Sequence, residues 1–597
     1  MNNDAEVLVW APLADAIELR LSNSDTKIPL EKKAYGYWET HTDKIKIDDT
    51  YFFTVNNIPQ LPDPASLVQP DGVHGGSQAI DIKNFEWTDY QWNNIPLEEY
   101  IFYEIHTGTF SPQGTFEGIE QRLDHLRELG INAIEIMPIA QFPGSRNWGY
   151  DGVYPFAVQN SYGGAKALQQ LVNACHKKDV AVVLDVVYNH LGPEGNYLSQ
   201  FAPYFTDKYK TPWGSAVNFD DAWCDGVRRY FIENALMWFR DFRIDALRLD
   251  AVHAIKDFSP VHILQEIKQY VDELTKATGR NHYLIVESDL NDPRFINPLE
   301  ENGYGMDAQW IDEFHHALRV TAGGETTGYY SDFNSIRHLA KSYKDAYVYD
   351  GQFSAHRKKT FGIKSEKNPG KQFIVFSQNH DQVGNRMLGE RTSQLVSFEM
   401  QKLLAAAVVV SPYLPMFFMG EEWSEPHPFL YFVSHTDKQL AEAVREGRKK
   451  EFAAFHISGE APDPTAEETF QQSKLQWDLL HQQPHETMLQ YYKALIALRK
   501  QQPALRHLNR QQLSVDTNEE QKILLLHRWY QDQHIISLMN FSKTQQLVLM
   551  PAYQPQWNKI FDSADTKWKG PAPSEPSVAD NSLIIIQAES ILIYANK

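Results

Sequence analysis

From about residue 100 the chain repeats one pattern. A short apolar run is followed by a loop, then an amphipathic stretch, then another apolar run. The runs lie at residues 101–106, 133–137, 180–187, 242–250, 283–288, 373–377 and 414–419, and residues 118–129 and 167–175 carry apolar side chains at helical spacing. Strands apolar on both faces that alternate with helices belong in a parallel sheet covered by those helices. About eight such units over roughly 400 residues predict a (β/α)8 barrel with long loops, in which reacting groups gather at the carboxyl ends of the strands.

Both flanks read differently. Residues 1–95 show short alternating runs, Val7-Leu8-Val9-Trp10, Ile17-Glu18-Leu19-Arg20-Leu21 and Tyr51-Phe52-Phe53-Thr54-Val55, with polar turns between them. They predict an immunoglobulin-like β-sandwich, with the Pro- and Gly-rich residues 61–77 as a linker or a loop packed on the next domain. Residues 96–504 are assigned to the barrel and its insertions. The insertions include a helix-prone stretch at 440–455 and a loop at 459–464, and a helix at 489–500 closes the barrel. Residues 505–597 return to alternating runs and predict a C-terminal β-sandwich.

The charge balance is −21, from 56 Lys and Arg against 77 Asp and Glu, which argues against nucleic acid and anionic membranes as partners. Two cysteines, Cys175 and Cys224, do not make a disulfide framework. No signal-peptide pattern opens the sequence, and the apolar run at 403–419 is broken by Ser411, Pro412 and Pro415, so a cytoplasmic protein is expected.

Four of the strand ends are polar in an unusual way: Asp185-Val186-Val187-Tyr188-Asn189-His190; Arg248-Leu249-Asp250 with His253; Glu287-Ser288-Asp289; and Asn379-His380-Asp381-Gln382 with Asn385 and Arg386. Singly, each has an ordinary explanation. A strand-end Asp caps a helix, a lone His is a satisfied core residue, and an Arg two residues from an Asp is an ion pair. Together, in one barrel, they converge on one face. Arg248 and Asp250 are two apart on a strand and so share a side. Arg243-Ile244-Asp245 repeats the same spacing, but Asp245 lies five residues earlier, on the opposite side and toward the closed end, which predicts a structural role.

These four segments resemble the signature regions of the α-amylase superfamily of glycoside hydrolases. Within it, residues 147–154 with Ser161-Tyr162-Gly163-Gly164 resemble the branch of branching enzymes and trehalohydrolases, and Leu247-Arg248-Leu249-Asp250-Ala251-Val252-His253, Glu287-Ser288-Asp289-Leu290, Asp312-Glu313-Phe314-His315-His316, residues 379–386 and Pro428-Phe429-Leu430-Tyr431-Phe432 are similar to the maltooligosyltrehalose trehalohydrolase family. The Ala246-Leu247 pair departs from the superfamily's usual Gly-Phe.

The resemblance implies a retaining hydrolase with Asp250 as nucleophile, Glu287 as acid/base and Asp381 as third carboxylate. It implies sugar contacts from Tyr150, His190, Arg248, His253, His380, Gln382, Asn385 and Arg386, and leaving-group contacts from Asp312, Glu313, Phe314, His315 and His316. The substrate implied is maltooligosyl trehalose, cut at the α-1,4 bond next to its terminal trehalose. The alternatives are a glycogen branching enzyme and a general α-amylase or neopullulanase. No cofactor is expected, and no metal, since His315 and His316 lack a third ligand at an obvious spacing.

Overall fold

The computed structural model describes residues 5–454 and 461–596. Eight parallel strands close into a barrel. They are β1 (Phe102–Ile105), β2 (Ala133–Ile136), β3 (Ala181–Val186), β4 (Ala246–Leu249), β5 (Tyr283–Val286), β6 (Ala308–Trp310), β7 (Phe373–Val375) and β8 (Leu414–Phe418). Each pairs with the next, and β8 returns to β1 with Met416 opposite Phe102.

Alternation along the strands explains the interior. Phe102, Ala133, Val183, Ala246, Ile285, Ile374 and Met416 pack into one apolar plug. Two residues further along, the matching positions on β1 to β5 are Glu104, Glu135, Asp185, Arg248 and Glu287, while β7 and β8 carry Phe376 and Phe418. The barrel therefore changes from apolar to charged toward its carboxyl end, and the charged layer is where the candidate site lies.

Two expectations are corrected, one for a strand and one for a helix. The run at 242–250 yields a ladder only at Ala246–Leu249. Arg243 has φ 53°, and Phe242 is buried against Trp238 at the end of the preceding helix rather than by strand pairing. The stretch 118–129 forms two helices, Phe116–Glu120 and Leu123–Leu129, broken at Arg122, whose guanidinium lies 4.2 Å from the Trp477 ring. The apolar run at 403–419 divides between the helix Phe398–Val409 and β8.

Ahead of the barrel, strands between Ala5 and Gln78 make two antiparallel sheets, and after it a six-stranded antiparallel sheet faces the pair Gln546–Leu549 and Leu583–Ile586. The helix-prone insertion forms Lys438–Ala454; Phe455 and residues 459–460 of the expected loop lie outside the described residues. Cys175 and Cys224 are both free thiols. Among the described residues no helix is long and apolar enough to cross a membrane.

Asp245 has the structural role expected. Its carboxylate accepts hydrogen bonds from Trp92 Nε1 at 2.8 Å, the Val182 N–H at 2.7 Å and His176 Nε2 at 2.9 Å, and His176 Nδ1 is 2.7 Å from Asp89. Burial works against the charged imidazole, but Asp245 and Asp89 together raise the His176 pKa above its ordinary value. A raised histidine contributes stability fully below an unfolded pKa of about 6.5, and that share is lost as pH rises through the folded value. Replacing Asp245 with Ala strands three buried donors and is expected to cost about 3–5 kcal/mol. A lowered urea midpoint, with the activity of the folded protein unchanged, is the expected result. A lowered activity at full stability would place Asp245 in the functional site instead.

Candidate active site

The site is organised by Arg248. Its side chain is fully buried, and its guanidinium lies over the Trp310 ring at 4.3 Å. The Arg248 NH1 group donates to Asp185 Oδ1 and Oδ2 at 2.9 and 2.8 Å and to Asp250 Oδ1 at 2.8 Å. Its NH2 group is 3.8 Å from Glu287 Oε2. A single guanidinium thus holds carboxylates from three neighbouring strands. A charge so deeply buried is tolerable only with such partners, and they keep the Arg248 pKa well above its usual value in spite of burial.

The chain then turns sharply. Ala251 adopts φ 41°, in the left-handed region a residue with a Cβ seldom occupies. The kink aims its N–H at Glu287 Oε2, 2.7 Å away. Asp250 and Glu287 keep 13% and 14% of their side-chain surface exposed, whereas Asp381 keeps 43%. The first two sit at the cleft floor and the third nearer its mouth. Burial pushes the Glu287 pKa well above its ordinary value, against the pull of Arg248 and with added repulsion from Asp250, Asp312 and Asp381. Two carboxyl groups beside one cation, one of them held toward the neutral form, make an acid paired with an anion.

Asp381 follows β7 on a short helix capped by Asn379. Its Oδ1 is 3.4 Å from His380 Nε2 and accepts from Asn385 Nδ2 at 3.3 Å. Tyr150 Oη donates to Asp185 Oδ2 at 2.7 Å and lies 2.8 Å from His380 Nε2. The loop that carries Tyr150 is tied by Asn147 Nδ2 to Asp151 and by the Gly149 N–H to Asn147 Oδ1. Gly149 has φ 108°, and a Cβ there would come within 2.0 Å of the Pro138 carbonyl oxygen, so this turn requires glycine. His190 bonds the Tyr150 carbonyl at 3.0 Å and stacks on Trp213 at 4.5 Å. His253 faces Asp289 at 3.8 Å.

The segment after β6 divides. Asp312 receives a 3.4 Å hydrogen bond from Gln382 and has its pKa pushed up to about 7, by burial and by Asp381. Asp312 and His316 line a cavity of about 50 Å³ with Asp289, Tyr329 and Arg357. Glu313 lines it too, whereas Phe314 and His315 do not. Glu313 accepts the Val348 and Tyr349 N–H groups at 2.6 and 3.0 Å. Phe314 is in the core against Tyr343. His315 bridges the Ser377 carbonyl, at 2.7 Å, and Tyr330 Oη, at 2.9 Å. Arg386 pairs with Glu325 and Glu390. Phe429 stacks on Trp148 at 5.2 Å and so backs the Tyr150 loop. Among the described residues no group of three His, Cys, Asp or Glu side chains could hold a metal ion.

Three residues here carried no separate signal in the sequence. Glu104 accepts the His380 N–H at 2.9 Å and lies 2.5 Å from His380 Nδ1. Glu135 is buried beside it. Trp310 lies under Arg248. A lone Glu inside each apolar run, Tyr103-Glu104-Ile105 and Ile134-Glu135-Ile136, was the available clue.

The α-amylase catalytic-domain family matches residues 77–213. A malto-oligosyltrehalose trehalohydrolase of Saccharolobus solfataricus is 48% identical over 493 residues, covering 83% of this chain and 84% of its own. One of Arthrobacter ramosus is 42% identical over 499 residues, covering 83% and 87%. The crystal structure of a protein described as a putative α-amylase from Salmonella typhimurium superposes with a TM-score of 0.88 at 36% identity over 98% of both chains.

Proposed function

Since the chain belongs to the malto-oligosyltrehalose trehalohydrolase family of the α-amylase superfamily, we propose that Asp250, Glu287 and Asp381 together hydrolyse the α-1,4 bond next to the terminal trehalose of a trehalose-ended maltooligosaccharide. The observation that carries this is the Arg248 guanidinium joined at once to Asp250 and Glu287. Retaining glycosidases need two carboxyl groups about 5–5.5 Å apart, one to attack and one to protonate.

Arg248 occupies Oδ1 of Asp250, leaving Oδ2 free to attack the anomeric carbon. Glu287 Oε2 is occupied by the Ala251 N–H, so the proton resides on Oε1 and passes to the departing glycosidic oxygen. The C–O bond to trehalose breaks as the ester to Asp250 forms. Water then attacks the same carbon, Glu287 takes its proton, and the maltooligosaccharide leaves with its α configuration. Asp381 and His380 grip hydroxyls of the reacting glucose, and Tyr150 lies beneath it. On the leaving-group side, Asp312, His316 and Arg357 offer polar contacts to the departing trehalose. Glu313, Phe314 and His315 support that side.

The acid must begin protonated. Activity is therefore expected below the raised pKa of Glu287 and lost as pH rises through it. A kcat/KM profile whose alkaline limb fell in the range of an ordinary carboxyl would contradict the assignment.

A general α-amylase would cut both ends of the substrate range alike. Maltopentaose and maltotriosyl trehalose contain the same number of glucose units, so comparing their kcat/KM isolates the 1,1-linked end. The trehalose-ended substrate is expected to be favoured by roughly 10²-fold or more, about 2.7 kcal/mol, the cost of leaving one or two buried polar groups unpaired. Equal rates would support the amylase reading. New α-1,6 branches without trehalose would support a branching enzyme.

A further inference from the structure

Beneath His380 the barrel holds two glutamates side by side. Glu104 on β1 and Glu135 on β2 are paired in register, and both are buried. Only Glu104 touches His380, and it does so twice: Oε2 accepts the backbone N–H at 2.9 Å and Oε1 lies 2.5 Å from Nδ1. We propose that Glu104 is a positioning residue for the hydrolysis: gripping His380 by backbone and ring together, it makes that histidine a fixed double donor whose Nε2–H is directed to Tyr150 Oη and whose positive charge lies beside Asp381 and the bound sugar. The proposal rests on the reading of Asp381 as the third carboxylate.

Proton counting supports it. Tyr150 Oη has one hydrogen, and it goes to Asp185 Oδ2, an oxygen that also accepts from Arg248. Oη therefore meets His380 Nε2, 2.8 Å away, with a lone pair, and Nε2 must carry hydrogen. Nδ1 faces a carboxylate oxygen and must carry one as well. Both nitrogens are protonated, so the ring is an imidazolium.

The charged groups around the ring agree. Glu104 comes from β1, Glu135 from β2, Asp185 from β3, Arg248 from β4 and Asp381 from the helix after β7, with Tyr150 and His106 from loops. Burial lowers the His380 pKa and Arg248 adds to that, but Asp381 and Glu104 outweigh both and bring it to about 9. Among the described residues Glu135 has no hydrogen-bond partner at either oxygen, and burial beside Glu104 pushes its pKa well up. Of the two glutamates, Glu104 alone is the hydrogen-bonded partner of the ring. His106 is held neutral, its pKa lowered to about 4 by burial.

The test is a pH titration of full-length enzyme carrying ¹⁵N-labelled histidine, with the His380 signals identified as those lost in His380→Gln. In the wild type both ring nitrogens are expected to be protonated at pH 7 and to titrate only near pH 9. In Glu104→Gln the midpoint is expected to fall by two pH units or more. The kcat on maltotriosyl trehalose should drop about 10²-fold, the scale of a 1 Å misplacement, with KM little changed. Glu104→Asp is expected to restore part of both.

A wild-type His380 that is singly protonated at pH 7 would overturn the proposal, whether or not either Glu104 variant folds. So would a Glu104→Gln enzyme that loses activity with an unshifted His380 titration, since Glu104 would then act on the fold alone. The titration is read on free enzyme, so its outcome stands apart from the role of Asp381. That role is tested by Asp381→Asn, which must lose turnover if the reading above is right.

Discussion

Replacing Asp250 with Asn is expected to lower kcat on maltotriosyl trehalose by about 10⁴-fold or more, equivalent to about 5.4 kcal/mol of lost transition-state stabilisation. The amide has the shape of the carboxylate but cannot form the glycosyl ester. The fold should survive, because Arg248 keeps both hydrogen bonds to Asp185 and its place over Trp310. Binding of the unreacted substrate should change little. Steady-state kinetics beside an unchanged thermal transition would give that result. Substantial residual turnover, corrected for wild-type contamination, would remove Asp250 as the nucleophile. Azide gives a sharper reading. If Asp250 is the nucleophile, azide can take its place in the variant and attack the α-glycoside directly, forming a β-glycosyl azide.

The Glu287→Gln variant is expected to lose about 10²–10⁴-fold, the range that general acid–base catalysis supplies. Its deficit should depend on the leaving group. An α-maltosyl fluoride needs no protonation to depart, so the first step should largely recover and the glycosyl enzyme should accumulate. Azide, which needs no general base, should then release that intermediate as an α-glycosyl azide, the opposite anomer from the Asp250 variant. The alkaline limb attributed to Glu287 should also vanish from the residual activity, because the group whose pKa is raised has been removed. A uniform loss on every substrate, with no response to azide, would make Glu287 a structural acid instead.

Much of this arrangement is legible in the sequence because a strand repeats every two residues. Arg248 and Asp250 had to share a side, and Asp245 had to face away. The structure shows Arg248 bonded to Asp250 and Asp245 among Trp92, His176 and the Val182 N–H. The strand ends of β3, β4, β5 and β7 could be matched because each leaves an apolar run with a charge.

The residues after β6 were less legible. The first turn of a helix can present any of Asp312 to His316 to the cleft, and sequence alone does not set its rotation. Packing sets it: Phe314 enters the core against Tyr343, which leaves Asp312 and His316 on the cavity wall. Glu104 and Glu135 escaped notice for the opposite reason. They sit within strands rather than at their ends, and a charge inside a buried strand has meaning only once its neighbours across the barrel are known. The same holds for the strand at 242–250. Its apolar residues are buried as expected, but Phe242 is buried by a helix end and not by a ladder.

The most direct measurement is proton NMR of maltotriosyl trehalose during its first minutes with the wild-type enzyme. The account predicts free trehalose and, before mutarotation, α-maltotriose. Initial β-maltotriose would mean inversion, with no ester to Asp250, and products without trehalose would mean that a different bond is cut.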